Sequence, residues 1–223
     1  MPETLLVPGN GKLGTAIYSW SLPAVTTCPG ASPACLKACY AKRGNFVWAA
    51  IRERYRRNQK RAHRRCFVER VVREIRQRNI KVVRVHPSGD FYSANYIQKW
   101  RNIAKRCPGT VFFAYTRSWR DATLLKELQR LAKLRNFYLW LSCDRSSERP
   151  PHMPEARVAF MRVGQEELPA YAIDLVFRTT RDTVEKRVNG VFVCPTENGV
   201  QTQTKITCSK CQLCFSAKRV PRK

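Results

Sequence analysis

Cysteines are the residues of this chain whose spacing points most directly to chemistry. Cys208, Cys211 and Cys214 follow the pattern C-x2-C-x2-C, and Cys194 stands upstream, directly followed by Pro195. Two-residue gaps let successive thiolates turn onto one centre. Three such thiolates with a remote Cys-Pro are how ferredoxin-type loops hold a four-iron cluster. A structural zinc site with four cysteine ligands is the rival, because zinc accepts the same gaps. Iron–sulfur is preferred here: zinc sites usually pair two C-x2-C hooks, whereas this loop crowds three cysteines together.

Cys28, Cys35 and Cys39 form a second group, in a loop rich in Cys, Pro, Gly and Ser from about Thr26 to Gly44. Three thiolates can hold three irons of a cubane and leave the fourth iron open to another ligand. An open position is what metal chemistry needs, while a closed site is structural or carries electrons. A single site shared between the two ends of the chain, which would staple them together, is equally compatible with the spacing. Cys66 lies in a helical pattern and Cys107 at a helix end, so both are expected to be small buried apolar residues. Cys143, at the carboxyl end of a predicted strand, is the one other cysteine in a chemically interesting position.

Ten cysteines in a chain that opens Met1-Pro2-Glu3-Thr4, without the basic and apolar start of a secretory signal, point to the cytoplasm and to metal rather than disulfides. No apolar run approaches the roughly 18 to 20 residues of a membrane span. The charge is extreme: 42 Lys plus Arg against 16 Asp plus Glu give a formal +26 in 223 residues. Such self-repulsion burdens a compact fold unless a polyanion relieves it, and nucleic acid, DNA or RNA, is the expected partner. The positive charge thickens at Arg52, Arg54, Arg56, Arg57, Lys60, Arg61, Arg64 and Arg65. All of these except Arg54 are taken as nucleic-acid contacts. A solvated helix face or a surface for anionic lipid is the competing reading. Tyr55, Trp48, Tyr92, Tyr96, Trp100 and Trp119 offer stacking surfaces suited to single strands. Trp48 and Trp100, at helical spacing beside apolar residues, are instead expected in the core.

The elements that must position these groups follow from periodicity. Alternation predicts a strand over Thr15 to Trp20. Helical spacing predicts helices near Phe46 to Arg61, with Asn45 as N-cap, and near Arg65 to Arg78. Strands and helices then alternate: strand Lys81 to His86, helix Tyr96 to Arg106, strand Thr110 to Tyr115, helix Asp121 to Leu134, strand Phe137 to Leu141. Further strands are expected at Arg157 to Val163, Leu175 to Arg178 and Val191 to Val193, with a short helix around Arg181 to Lys186. This layout implies a single α/β domain over residues 1–223 with a mostly parallel sheet, as a partial or complete β/α barrel, and cysteine loops at 26–44 and 194–215. Polar segments follow the strands at His86 to Asp90, Thr116 to Ser118, Ser142 to Asp144 and Thr179 to Arg181. Sites of parallel α/β folds lie at these carboxyl ends, so the segments should converge.

The runs Asn10-Gly11-Lys12-Leu13-Gly14, Ser21-Leu22-Pro23-Ala24, Thr27-Cys28-Pro29-Gly30, Cys39-Tyr40-Ala41 with Gly44, and Ser88-Gly89-Asp90-Phe91 resemble the phage and plasmid gene product eighty-eight proteins. So does the terminal Cys208, Cys211, Cys214, Phe215 cluster, and the resemblance spans nearly the whole chain. More distantly, a three-cysteine loop after the first strand and a Gly-acid motif after the next is similar to radical SAM enzymes, whose cluster cleaves S-adenosylmethionine. The chain departs from their pattern, with C-x6-C-x3-C in place of C-x3-C-x2-C and with Tyr40 after the last cysteine rather than before it. That resemblance implies Ser88, Gly89, Asp90 and Tyr40 as cofactor-binding or catalytic residues, Gly89 allowing close backbone approach and Asp90 accepting hydrogen bonds or acting as acid/base.

Two classes of function follow. One is a cluster-dependent enzyme acting on nucleic acid. The other is a DNA- or RNA-binding protein whose clusters or zinc are structural staples. A divalent-metal nuclease using Asp90, Asp144 and Glu148 is a further alternative. Walker-type loops and H-E-x-x-H are absent, and His63, His86 and His152 form no evident triad.

Overall fold

In the strands at the middle of the chain, residues alternate between two apolar surfaces, and this alternation decides the architecture. The computed structural model describes residues 4–179, 184–198 and 206–216. Its sheet has seven strands in chain order: β1 (Val7–Pro8), β2 (Ile17–Trp20), β3 (Val82–Val85), β4 (Val111–Thr116), β5 (Phe137–Cys143), β6 (Ala156–Arg162) and β7 (Leu175–Arg178). β2 to β7 are parallel and β1 is an antiparallel edge. The short α1 (Pro33–Ala38) and the helices α2 (Ala49–His63) and α3 (Phe67–Gln77) lie between β2 and β3, while α4 (Ala94–Arg106) and α5 (Ala122–Ala132) carry the next two crossovers.

One face of the sheet sends Trp20, Val83, Val85, Phe112, Ala114, Leu139 and Leu141 into a core with Phe67, Val71, Ile97, Trp100, Leu128 and Leu131 of the helices. The other face, Ile17, Phe113, Trp140, Ala159 and Leu175, has no long helix over it among the described residues. It is covered by the chain's own ends: Leu13 from the start, and Cys194, Cys208 and Phe215 from the finish. A strand buried on both faces reads as a near-continuous apolar run, as β4 and β5 do.

The expected mostly parallel sheet is present, but a complete barrel does not form. Among the described residues β1 pairs only with β2, and β7 meets β6 on one side and a single bridge from Val193 on the other. The crossovers into β6 and β7, residues 144–155 and 163–174, contain no helix.

Four local expectations are corrected. The helix predicted from Phe46 begins at Ala49, because residues 44–47 form a 3-10 turn; the N-cap is Trp48, in extended conformation, rather than Asn45. Trp48 is thereby carried out of the core to 61% exposure, while Trp100 is fully buried as expected. Cys66 caps the start of α3 and is exposed, whereas Cys107 is buried. The short helix expected around Arg181 to Lys186 lies partly outside the described residues, and 184–186 are not helical. Beyond it, β8 (Arg187–Val188) and β9 (Val191–Phe192) form a small hairpin, followed by two single-turn helices, α6 (Pro195–Asn198) and α7 (Cys208–Cys211).

Candidate metal centres and a cationic face

The loop carrying Cys28, Cys35 and Cys39 rests on the carboxyl ends of the strands. Ser32 caps α1 by accepting from the Cys35 amide at 3.0 Å, and its hydroxyl donates to the Asp144 carboxylate beyond β5. Asp144 also pairs with Arg117, beyond β4, at 2.6 Å, and both are buried. The Arg117 amide donates to Asp90, beyond β3, at 2.7 Å, and Thr116 and the Phe91 amide complete that carboxylate at 2.6 and 2.7 Å. A Cβ on Gly30 would overlap the Arg117 carbonyl, so the cysteine loop lies directly on this network. The segments after β3, β4 and β5 thus meet at one place. Of the fourth, Thr179 bonds back to Arg162 at 3.0 Å, and Thr180 and Arg181 lie outside the described residues.

Burial pushes the Cys28 thiol up to about 12, reinforced by Asp90 and by Cys35 and Cys39. Burial also raises Cys35, against the pull of Arg117 and with Cys39 adding to the rise. The three thiols are therefore electrostatic neighbours. Ser88, Gly89 and Asp90 direct their polar atoms into the protein. The Ser88 hydroxyl donates to the Leu22 carbonyl at 2.9 Å, and Asp90 is occupied as described. Gly89, at φ +80°, is required because a Cβ would fall 2.6 Å from Leu22 Cβ and Thr27 Oγ1. The close approach it permits is thus made by the chain itself. The Tyr40 hydroxyl donates to the Pro87 carbonyl while the residue stays 56% exposed.

The C-terminal group is built differently. The amides of Cys208 and Ser209 donate to the carbonyls of Lys12 and Leu13 at 2.9 and 3.0 Å, stapling the two ends of the chain through backbone bonds. Gly14, at φ +82°, has no room for a Cβ beside Ser209. Tyr115 donates to Cys214 Sγ at 2.8 Å, Trp140 Nε1 to the Cys214 carbonyl at 2.9 Å, and Arg157 to the carbonyls of Leu213 and Ser216 at 2.9 and 2.7 Å. The Cys194 amide donates to Val176 at 2.9 Å, which brings this cysteine to the edge of β7. Burial pushes Cys214 up to about 12, with Cys194 and Cys208 adding to the rise. Burial raises Cys208 as well, opposed by Arg84 and Lys12.

Arg84, on β3, lies between the two groups. Burial disfavours its charge, but Tyr40 on one side and Cys208, Tyr115 and Cys214 on the other together hold its guanidinium pKa above the ordinary value. Its Nε is buried with no hydrogen-bond partner, and the guanidinium stands 5.8 Å from the Tyr115 ring centre. Among the described residues, no three Cys, His, Asp or Glu side chains stand close enough together to hold a metal ion. The donor chemistry nevertheless fits a thiolate-bound cluster. The thiols are soft ligands grouped on short turns, and Lys12 and Arg84 would offset the negative charge of such a cluster. The acidic trio does not gather: Glu148 is exposed and pairs with Arg120 at 2.7 Å. Cys143 faces the helix-side core and donates to the Ala159 carbonyl at 3.4 Å.

The cationic face is formed by α2 and its junction with α3. Arg52, Arg56, Arg57, Lys60, Arg64 and Arg65 are exposed and Arg61 half-buried. A cleft of about 270 Å³ is lined by Arg57, Lys60, Arg61, Arg64 and Arg70, with no acidic side chain in its wall. Glu53 is the one carboxylate on α2, 3.7 Å from Arg56 and 3.6 Å from Arg57; exposed pairs of this kind contribute little. Of the stacking candidates, Tyr96, Trp100 and Trp119 are buried, and Trp48 is the most exposed.

A model of the family described as Gene product 88 matches residues 4–217. The chain belongs to the gene product 88 family. It is 25% identical to the Gene 88 protein of Mycobacterium phage L5, across 95% of this chain and 87% of that protein. It is 28% identical to the Gene 88 protein of Mycobacterium phage D29, across 61% of this chain and 60% of that protein. No solved structure matches it. Among the described residues of this gene product 88 chain, no helix is long and apolar enough to cross a membrane.

Sequence reasoning missed Ser32, Arg70 and Arg84 in this gene product 88 protein and noticed Arg117 only as part of a post-strand segment. Arg84 had a legible signal, an arginine within the apolar run Lys81 to His86 at a position that alternation assigns to a covered face. Ser32 had a weaker one, a serine directly before Pro33, the pattern of an N-cap followed by proline at the first helical position.

Proposed function

We propose that this protein holds iron–sulfur clusters on its two cysteine groups and binds nucleic acid, DNA or RNA, through the cationic face of α2 and α3. The observation that supports the metal half is that Cys214 packs beside both Cys208 and Cys194, with Cys211 next to Cys208, Lys12 near Cys194 and Cys208, and Arg84 near Cys208 and Cys214. Free cysteines serving only as core would not need cations beside them. The nucleic-acid half is supported by the formal +26 and by the cleft whose five named side chains are all cationic.

The N-terminal group is the one suited to chemistry, because three cysteines leave one iron without a protein thiolate. A bound cluster of that kind would supply one-electron chemistry to a ligand at the free iron. The chain's own contribution is placement: Ser32, Asp144, Arg117 and Asp90 fix the loop on the strand ends. A radical SAM-like reaction is the more specific form of this reading. The nuclease reading gains no support, since the Asp90 oxygens are taken by protein donors and Glu148 by Arg120.

Anaerobic purification with iron, sulfide and zinc assays tests the metal. Iron and sulfide in near-equal amounts are expected; zinc-replete, iron-free protein would replace the clusters by structural zinc. Reductant plus S-adenosylmethionine should yield 5′-deoxyadenosine, and intact S-adenosylmethionine over fully clustered protein would leave a binding protein. Affinity for duplex should fall with salt at a log-log slope of about −0.9 per neutralised phosphate.

A further inference from the structure

Residues four apart on a helix lie in one row along its surface. On α2 and its ends one such row reads Trp48, Arg52, Arg56, Lys60, Arg64, and all five residues are exposed. Sixteen residues at 1.5 Å each make the row about 24 Å long, the length of several nucleotides. Lys60 and Arg64 at its far end belong to the cationic cleft. At the near end Trp48 is accompanied by exposed Tyr40 and Val47, and the Tyr40 ring packs edge-on against Phe46 at 5.5 Å.

We infer that this row binds single-stranded nucleic acid, the backbone following the cations and an unpaired base stacking on Trp48. The inference rests on the nucleic-acid reading above and narrows it to one form of the polymer. An exposed indole can stack only on a base whose face is free, and bases within a duplex already cover one another. Base stacking on aromatic side chains tolerates any sequence, so such a row needs no base-edge contacts to hold a single strand. An anionic membrane also attracts cations and tryptophan. A membrane-lying helix, however, turns a continuous apolar side outward. Here the outward row is cationic below its first residue, and the inner side of α2 holds Asn58, which donates to the Ser21 carbonyl at 2.9 Å.

The test uses the whole protein and four probes: a labelled oligonucleotide of about a dozen nucleotides, its duplex, phosphatidylserine vesicles and neutral vesicles. Trp48→Ala should weaken single-strand binding about tenfold, within the range for loss of one stacked base, and change duplex binding less than twofold. Trp48→Phe should restore most of the loss. Trp20, Trp100, Trp119 and Trp140 are buried, so single-strand binding should quench wild-type emission more than that of Trp48→Phe. Equal losses for both nucleic acids, or none, with salt-sensitive binding intact, would overturn the single-strand inference and leave the broader reading standing. If neither nucleic acid binds in a salt-sensitive way, the broader reading fails first. Binding to anionic vesicles alone would assign the row to a membrane surface and overturn both.

Discussion

The two cysteine groups lie against the same sheet but are attached to it in opposite ways. Cys28, Cys35 and Cys39 stand half-buried on a loop supported by a polar network of Ser32, Asp144, Arg117 and Asp90. Cys194, Cys208 and Cys214 are set against the apolar face formed by Phe113, Trp140 and Leu175, and the turn that carries two of them is bonded to the backbone of residues 12 and 13. A group resting on polar contacts at strand ends can be altered while the core stays intact. A group that is itself the cover of a sheet face cannot. On the reading proposed above, the first group would serve chemistry and the second architecture.

The largest expected effect tests that division. Cys214→Ser should remove iron and cost the fold several kcal/mol, because metal binding at a structural site is folding free energy. It should show as a fall of more than about 10 °C in melting temperature, or as insoluble protein. Cys35→Ser should lose a comparable share of iron and melt within a few degrees of wild type. Anaerobic thermal unfolding with iron assays on both variants reads the difference, and the reverse order would break the comparison.

Next in size is the polar network. Asp144→Asn leaves Arg117 buried without its counter-charge, a change that typically costs about 3 to 5 kcal/mol, and chemical denaturation should measure it. Burial alone would raise the Asp144 carboxyl, but the Ser32 hydroxyl, Arg117 and Ser146 outweigh it and hold the carboxyl below its ordinary 3.8. Its folded value is thus the depressed one. The stability it gives is complete above pH 3.8 and disappears as pH falls through the lower folded value.

A milder acid effect belongs to the same half of the molecule. Burial lowers His86 from 6.5 to about 3, and its Nε2 shares a 2.9 Å hydrogen bond with the Tyr96 hydroxyl. The unfolded chain takes up a proton near pH 6.5 that the folded chain refuses. Stability is therefore full above that pH and declines toward pH 3, by about 2 kcal/mol at pH 5 relative to pH 8. His86→Gln should flatten that slope in denaturant titrations across the range, and an unchanged slope would place the acid sensitivity elsewhere.

Much of this division was legible in the residues. The strands were found within a few residues because β4 and β5 are buried on both faces and so stand out as apolar runs, whereas the cysteine spacing predicts metal centres and no three Cys, His, Asp or Glu side chains among the described residues stand close enough to hold a metal ion. Closure of the sheet was not legible, since it depends on whether β1 and β7 meet, and no local pattern encodes that. Trp48 was misplaced for a physical reason: its spacing matches the helix, but the 3-10 turn before it turns the residue out to solvent. Cys66 was misplaced similarly, because it caps α3 instead of lying within it. Arg84 was overlooked because a strand with one cation still reads as a strand. The meaning of that cation emerges only when Tyr40 from one loop and Cys208 and Cys214 from another arrive beside it.

The smallest effect examines the architectural group without touching a cysteine. Arg157 on β6 donates to the carbonyls of Leu213 and Ser216, and its guanidinium stands 5.2 Å from the Trp140 ring centre. It thereby fastens the far side of the turn whose near side is held by Lys12 and Leu13. Arg157→Met keeps most of the stem but removes both donors and the charge, and should cost about 1 to 2 kcal/mol. If the C-terminal turn is part of the core, that cost appears in global unfolding measured by denaturant. If the turn opens independently, global stability stays unchanged, and amide exchange accelerates only at Cys208 and Ser209, whose N–H groups bond to the start of the chain. The second result would mean that this group, like the first, sits on the sheet as a replaceable loop, and the contrast between them would reduce to one of burial.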